Sequence, residues 1–349
     1  MSANILPIEQ FLRQAEQYPV LDVRTPAEFE QGHIPQAINL PLFSNDERKE
    51  IGILYKKKGR DIAIKRGLEL IGPKMRDLVE TAEKKAPQRN ALVHCWRGGM
   101  RSESLAWLLR FSGFNVSVLE GGYKRFRNWS IQTLTMLRPV IVLGGMTGSG
   151  KTYILKELAG LGEQVIDLEG LANHKGSAFG SLGEEEQPTN EQYENTLAMH
   201  WSGLDPERPV WLEDESSRIG RIILPEKIYE LIRQAPVIKV EVDYQRRIEH
   251  LVNEYSVYPK EQLASCVKKI ERRLGGLRTR QALEAIENDE FEKVADLTLH
   301  YYDKTYRYGM GERDSDNVFS IPLSGNDWEQ QARSIREFAL KNILTPHEH

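Results

Sequence analysis

PVIVLGGMTGSGKTYILKELAGLG, residues 139–162, joins a strand pattern, PVIVLGG, to a helical one, TYILKELAGLG. The joint is Gly145-Met146-Thr147-Gly148-Ser149-Gly150-Lys151-Thr152, which fits the spacing G-x4-G-K-[ST]. A glycine-rich turn leading into a helix N-terminus aims backbone N–H groups at one anion. The loop is therefore predicted to cradle a di- or triphosphate, with Lys151 neutralising it and Thr152 placed to hold a Mg²⁺ ion. The motif specifies a bound phosphate chain and leaves open whether ATP is hydrolysed.

Downstream, QVIDLEG (164–170), PVWLEDES (209–216) and PVIKVEVD (236–243) read as further strands, which makes this half an α/β unit. Asp214 or Glu213, closing PVWLEDES, is the candidate acid for the second shell of a metal. His174, His200, His250 and His300 lack ligand-like spacing and read as surface or packing residues, so no direct metal ligand set is assigned. From about 245 to 300 the pattern is helical and basic, and the tail LTPHEH is expected to fray.

Upstream lies a second α/β cycle. YPVLDV (18–23), ALVHC (91–95) and NVSVL (115–119) read as buried strands, and SESLAWLLRF (102–111) as a helix. The stretch Ile131–Arg138 is read as helical and as the boundary, giving domains of 1–136 and 137–349. Between a strand and a helix stands His94-Cys95-Trp96-Arg97-Gly98-Gly99-Met100-Arg101-Ser102. Two glycines free this loop to turn its N–H groups inward as an anion nest. That field, with Arg97 and Arg101, is predicted to lower the Cys95 pKa and make the thiolate a nucleophile.

Length and composition agree with this layout. At roughly 150 residues per domain, 349 residues give about two domains. Cys95 and Cys266 are the only cysteines, too few for a disulfide framework or a thiolate metal site, and a reducing cytoplasm is expected. The N-terminus has no basic, apolar leader pattern, and no apolar run approaches the ~18 residues of a membrane span. The net charge of −4 hides segregation: residues 181–217 carry ten acids and one base, whereas 218–280 carry fourteen bases and eight acids. Basic clusters at Lys56, Lys57, Lys58 and Arg60 with Lys65 and Arg66, at Lys124, Arg125 and Arg127, at Arg246 and Arg247, and at Lys268 to Arg280 with Arg272, Arg273 and Arg278 are candidate RNA contacts.

LDVR (21–24), Glu28-Phe29 and GHIPQAINLP (32–41), followed by the Cys95 loop, resemble the rhodanese family over residues ~1–135. Two departures matter. Gln36 stands where rhodaneses commonly have Gly, and Cys95 to Arg101 is Cys-x5-Arg, the phosphatase spacing for a tetrahedral oxyanion, where rhodaneses use Cys-x4-Arg. Asp22, Arg24, Glu28 and His33 are expected to hold turns together.

A rhodanese-like domain fused to a P-loop NTPase-like α/β domain with a basic helical C-terminal region resembles the bacterial tRNA 2-selenouridine synthase family. The blocks ILYKKKGRDIAIKRGLELI (53–71), VHCWRGGMRS (93–102) and GGYKRFR (121–127) carry that resemblance. It implies a tRNA substrate, met through its anticodon region, whose wobble 2-thiouridine in the tRNAs for Lys, Glu and Gln is geranylated by geranyl diphosphate and then selenated by selenophosphate. Gly145 to Thr152 would hold the diphosphate. Cys95 would attack selenophosphate to give a selenylsulfide, with Trp96, Arg97, Gly98, Gly99, Met100 and Arg101 around the phosphate. A selenophosphate-supplying enzyme is an implied partner, and a monomer is expected. The competing readings are an ATP-dependent kinase or tRNA sulfurtransferase working through a Cys95 persulfide, a Cys-dependent phosphatase, and a non-enzymatic RNA-binding adaptor.

Overall fold

The computed structural model describes residues 4–311, 313–325 and 327–344, so Thr345–His349 of the tail lie outside the described residues. The chain divides into two compact units, Met1–Thr133 with Glu194–Met199, and Leu134–Tyr193 with His200–His349. Each is mixed α/β around a five-stranded parallel sheet.

In the first unit, β1 (Asn4–Leu6), β2 (Val20–Asp22), β3 (Ile38–Asn39), β4 (Asn90–His94) and β5 (Asn115–Leu119) lie in the order β1-β5-β4-β2-β3. Short apolar runs such as VLD and NALVH suit central parallel strands because both faces are covered. Leu21, Val93, Leu105, Leu109 and Val118 pack in the core on one side, and Phe11, Tyr123 and Phe126 in another cluster. β4 ends at His94, so Cys95 opens a loop at the carboxyl edge of the sheet, where open α/β sheets place ligands. The helix Met100–Phe111 follows.

In the second unit, β6 (Val140–Gly145), β7 (Gln164–Val165), β8 (Val210–Glu213), β11 (Val237–Val242) and β12 (Val318–Leu323) lie in the order β12-β11-β6-β8-β7. β9 (Arg218–Ile219) and β10 (Ile222–Ile223) form a separate antiparallel pair. The central strand β6 delivers the glycine loop to the helix Lys151–Gly160. Two readings are corrected. The strand predicted over 164–170 stops at Val165, because Asp167 accepts the Gly170 N–H and caps a short helix, Leu168–Leu171. The helix predicted to run through Ile131–Arg138 ends at Thr133. Among the described residues no helix is long and apolar enough to cross a membrane.

Candidate functional site

The Cys95 loop is shaped from behind by the start of the helix Gly122–Thr133. The Tyr123 N–H donates to the Cys95 carbonyl at 2.8 Å and the Lys124 N–H to the Trp96 carbonyl at 3.0 Å. With those carbonyls turned away, loop N–H groups converge on the sulfur, and the Gly99 N–H lies 3.3 Å from Sγ. This fit requires glycine at Gly122: its φ is +61°, and a Cβ there would lie 2.4 Å from the Cys95 carbonyl oxygen.

Cys95 is 3% exposed, and its Sγ is 3.2 Å from Ser102 Oγ. Burial pushes its thiol up, but the Ser102 hydroxyl and the N–H groups of Gly99, Ser102 and Arg97 outweigh burial and leave the pKa below the ordinary value. The predicted shift has its direction, and the loop N–H groups that were expected to cause it do so, joined by the Ser102 hydroxyl, which the sequence did not single out, while the Arg97 and Arg101 guanidinium groups are not among its leading causes. Arg101 is held by Glu28 at 2.7 Å, while Arg97 is exposed. Trp96 and Met100 are exposed at the loop as well, and Gly98 holds a φ of +66°.

Glu28 does two things. It closes a capping box with Thr25 at the start of the helix Pro26–Gln31, and it orients Arg101. Asp22 and Arg24 are fully buried and bidentate, with Arg24 Nη2 also donating to the Gly32 carbonyl and its guanidinium stacked 3.8 Å from the Tyr123 ring centroid. They hold the turn, as expected. Gln36 adopts a φ of 67°, a left-handed conformation that glycine takes without strain.

In the other unit, Gly145–Thr152 forms a turn closed by a Ser149 N–H to Met146 carbonyl bond of 3.1 Å, and Lys151 Nζ donates back to the Gly145 carbonyl at 2.9 Å. Thr152 is exposed and Ser149 buried, with an Oγ that has no partner. The helix Tyr244–Tyr255 braces the loop. Arg247 Nε donates to the Thr147 carbonyl at 2.8 Å, and His250 Nδ1 is 3.0 Å from the Gly148 carbonyl. Gly150 holds a φ of +78°, and a Cβ on it would meet the Trp328 ring, which stacks on Tyr153.

Three sequence assignments change here. Asp214 is not free for a metal shell: a carboxylate this buried needs a counterion, and Arg313 provides it at 2.5 Å, with side-chain exposures of 9% and 2%. Arg247 is no RNA contact, because it forms a buried ion pair with Asp303. Arg127 is engaged by Glu194 and Asn195. By contrast, Lys56, Lys57, Lys58, Arg60, Lys124, Arg125, Arg272 and Arg278 are exposed, and Arg273, also exposed, donates to the Tyr301 hydroxyl at 3.1 Å.

The carboxyls whose charge couples to Lys151 are Glu169 and Glu215. Burial pushes both carboxyls up, and the neighbouring Glu169 charge pushes Glu215 up further. Glu213 is pushed up by burial and accepts the Leu168 N–H at 3.0 Å. Sequence reasoning missed Glu169 and Glu215, although both lie at the ends of runs that read as strands. Among the described residues no group of three or more His, Cys, Asp or Glu is arranged to hold a metal.

The comparisons with known proteins follow this division. Residues 138–325 match the model of the tRNA 2-selenouridine synthase AAA domain, and residues 8–128 match the rhodanese-like domain. The chain belongs to the tRNA 2-selenouridine synthase family. A tRNA 2-selenouridine synthase of Sulfurovum sp. (strain NBC37-1) is 37% identical, covering 90% of this chain and 93% of that protein. One from Salmonella paratyphi B (strain ATCC BAA-1250 / SPB7) is 34% identical over 91% and 94%. Among solved structures, the N-terminal domain of a Clostridium difficile 630 protein described as ATP/GTP-binding is 40% identical over 36% of this chain and 98% of its own, with a TM-score of 0.34. The Cys95 loop lies within the residues that match the rhodanese-like domain, and Gly145–Thr152 within those that match the AAA domain.

Proposed function

We propose that this chain converts wobble 2-thiouridine in the tRNAs for Lys, Glu and Gln to 2-selenouridine in two steps. First, the thiouridine sulfur attacks C1 of geranyl diphosphate. The C1–O bond breaks with its electron pair going to diphosphate, and the N3 proton is lost. The 145–152 loop holds the departing diphosphate, and Lys151 offsets its growing charge. Alkylation turns a sulfide, which leaves badly, into a thiolate that leaves readily. Selenium from selenophosphate then adds at C2 and the geranyl thiolate departs.

The observation that carries the first step is an apolar cleft that begins at Thr147 and is walled by Phe179, Leu251, Tyr255, Phe291 and Val294. Such a wall suits a hydrocarbon chain joined to a phosphate better than a ribose and purine. Its water-accessible room is about 40 Å³. An engineered cavity of about 150 Å³ holds benzene, so a ten-carbon chain must part the Phe179 and Tyr255 rings, whose centroids are 5.5 Å apart. Mg²⁺ commonly takes one or two carboxylates plus phosphate oxygens and waters, and Thr152, Glu169 and Glu215 are the residues that would hold one; bound there, it would neutralise diphosphate. The exposed cations at 56–60, 124–125 and 272–278 are the proposed tRNA contacts. We place the reaction in the cytoplasm, with a selenophosphate-supplying enzyme upstream.

The test is mass analysis of nucleosides from thiolated tRNA incubated with geranyl diphosphate, with and without selenophosphate, in the absence of ATP. S-geranyl-2-thiouridine should appear first and 2-selenouridine only with selenophosphate. Product that forms only once ATP is added would replace this reading with the kinase or sulfurtransferase one.

A further inference from the structure

We propose that Cys95 attacks the phosphorus of selenophosphate, not its selenium, so that the rhodanese-type loop works as a phosphatase-type cleft that splits the P–Se bond and releases selenide for C2. The proposal rests on selenophosphate being the donor, as argued above.

In selenophosphate the phosphorus is pentavalent and the selenium is already at the selenide level, the level it has in 2-selenouridine. Attack of the thiolate on selenium would form an S–Se bond and break P–Se with the pair left on phosphorus, yielding phosphite. The selenylsulfide expected from the sequence, accompanied by phosphate, does not balance without an oxidant. Delivery from a selenylsulfide to C2 would also leave a C2–Se–S–Cys95 link that a second thiol must reduce. The only other cysteine in the chain, Cys266, is buried in the helix Lys260–Lys269 of the other unit.

Attack on phosphorus has no such demand. The Cys95 lone pair forms S–P while P–Se breaks with its pair going to selenium, which leaves as hydrogen selenide with the proton of the donor. Selenide adds to C2 and expels the geranyl thiolate, which takes up a proton. Water then attacks phosphocysteine, O–P forms, S–P breaks, and inorganic phosphate leaves with Cys95 a thiolate again. No element changes oxidation state, and selenide is a good enough leaving group to need no general acid.

The geometry fits this route. Cys95 begins a Cys-x5-Arg-Ser loop whose Gly99, Ser102 and Arg97 N–H groups are turned toward Sγ, the donors that would meet a tetrahedral oxyanion bonded to the sulfur. Arg101, the loop's terminal arginine, is aimed by Glu28 through two contacts, 2.7 and 3.3 Å. Ser102 Oγ, 3.2 Å from Sγ and 2.9 Å from the Gly99 carbonyl, can turn its O–H from that carbonyl to sulfur and hydrogen-bond the leaving thiolate as the S–P bond breaks. A persulfide-forming loop has no need of that hydroxyl at the second step, whereas a phosphocysteine must expel a thiolate.

The experiment uses the full chain with S-geranylated tRNA and selenophosphate labelled separately with radiophosphorus and radioselenium. Rapid-quench samples of the wild type and of Ser102→Ala are digested, and the Cys95 peptide is counted, while the phosphorus product of the wild type is read by phosphorus NMR. The expected result is phosphate as product, radiophosphorus on the Cys95 peptide that accumulates several-fold in Ser102→Ala, no radioselenium there, and neither label in Cys95→Ser. Radioselenium on the Cys95 peptide, or phosphite as product, overturns the attack on phosphorus while leaving the selenophosphate reading intact. If wild-type protein transfers no selenium to geranylated tRNA, the donor assignment itself falls and this inference with it. The NMR arm needs no variant, so a poorly folded Ser102→Ala cannot hide the answer.

Discussion

Gln36 is a residue whose backbone carries a cost: at a φ of 67° a side chain loses roughly 1–2 kcal/mol against the ordinary helical region. Glycine removes that strain but adds about 0.5–1 kcal/mol of unfolded-chain entropy, so Gln36→Gly should stabilise the fold by up to about 1 kcal/mol. A higher denaturant midpoint with an unchanged slope would show it; a lower midpoint would mean that the Gln36 side chain contributes more than its backbone costs. Cys95 offers a pH test at the same scale. Its folded pKa is depressed, so the thiolate persists to lower pH than a free thiol allows, and the selenation rate should climb through a limb below the ordinary cysteine range. The matching stability is present above the unfolded pKa and lost as pH falls through the folded one. Removing the hydroxyl in Ser102→Ala should move the rate limb to higher pH. An unmoved limb would assign the depression to the amides alone.

At the scale of elements, the helices Asn45–Lys58 and Arg60–Ile71 meet at Gly59, whose φ of +90° sets the bend, and present Lys56, Lys57, Lys58 and Arg60 to solvent beside exposed Tyr55 and Ile62. None of these four cations is in an ion pair among the described residues, in contrast to Arg66, which is held by Glu50 and Glu69. Lys56→Glu/Lys57→Glu/Lys58→Glu should therefore weaken tRNA binding and flatten the dependence of log affinity on log salt, by roughly 0.7–0.9 for every tRNA phosphate that is no longer neutralised. Equal slopes for variant and wild type would place the tRNA elsewhere. Elements of this kind were legible where local chemistry defines them: β5 occupies its predicted residues, 115–119, and both anion loops lie between a strand and a helix. What could not be read was any pairing made by the fold across long separations. Asp214 looked like a metal acid until Arg313, 99 residues on, proved to be its counterion, and Arg247 looked like a surface cation because its partner is Asp303. Glu169 and Glu215 carry no local pattern that marks them as neighbours. β12, VFSIPL, was overlooked because a short run after a long helix has little periodicity of its own.

For the whole molecule, the decisive feature is that each of the two compact units contains its own anion loop and its own candidate chemistry. In the proposed sequence the carbon electrophile is met at Gly145–Thr152 and the selenium donor at Cys95, and the only thing passed between them is the tRNA, carrying an S-geranyl group. A tRNA held by exposed lysines and arginines dissociates readily at physiological salt, because such contacts are screened and act through counterion release. The intermediate should therefore be able to leave one molecule and enter another. Lys151→Ala should fail at geranylation yet selenate a pre-geranylated tRNA; Cys95→Ser should stop with geranylated tRNA. Mixed together, the two inactive variants should restore 2-selenouridine, with a lag that shortens as the concentration of the Lys151→Ala protein rises. Nucleoside mass analysis of the mixture over time reads this directly. If the mixture stays inactive although each variant performs its own half-reaction, the intermediate never leaves the chain that made it, and the two loops must act on one bound tRNA without release.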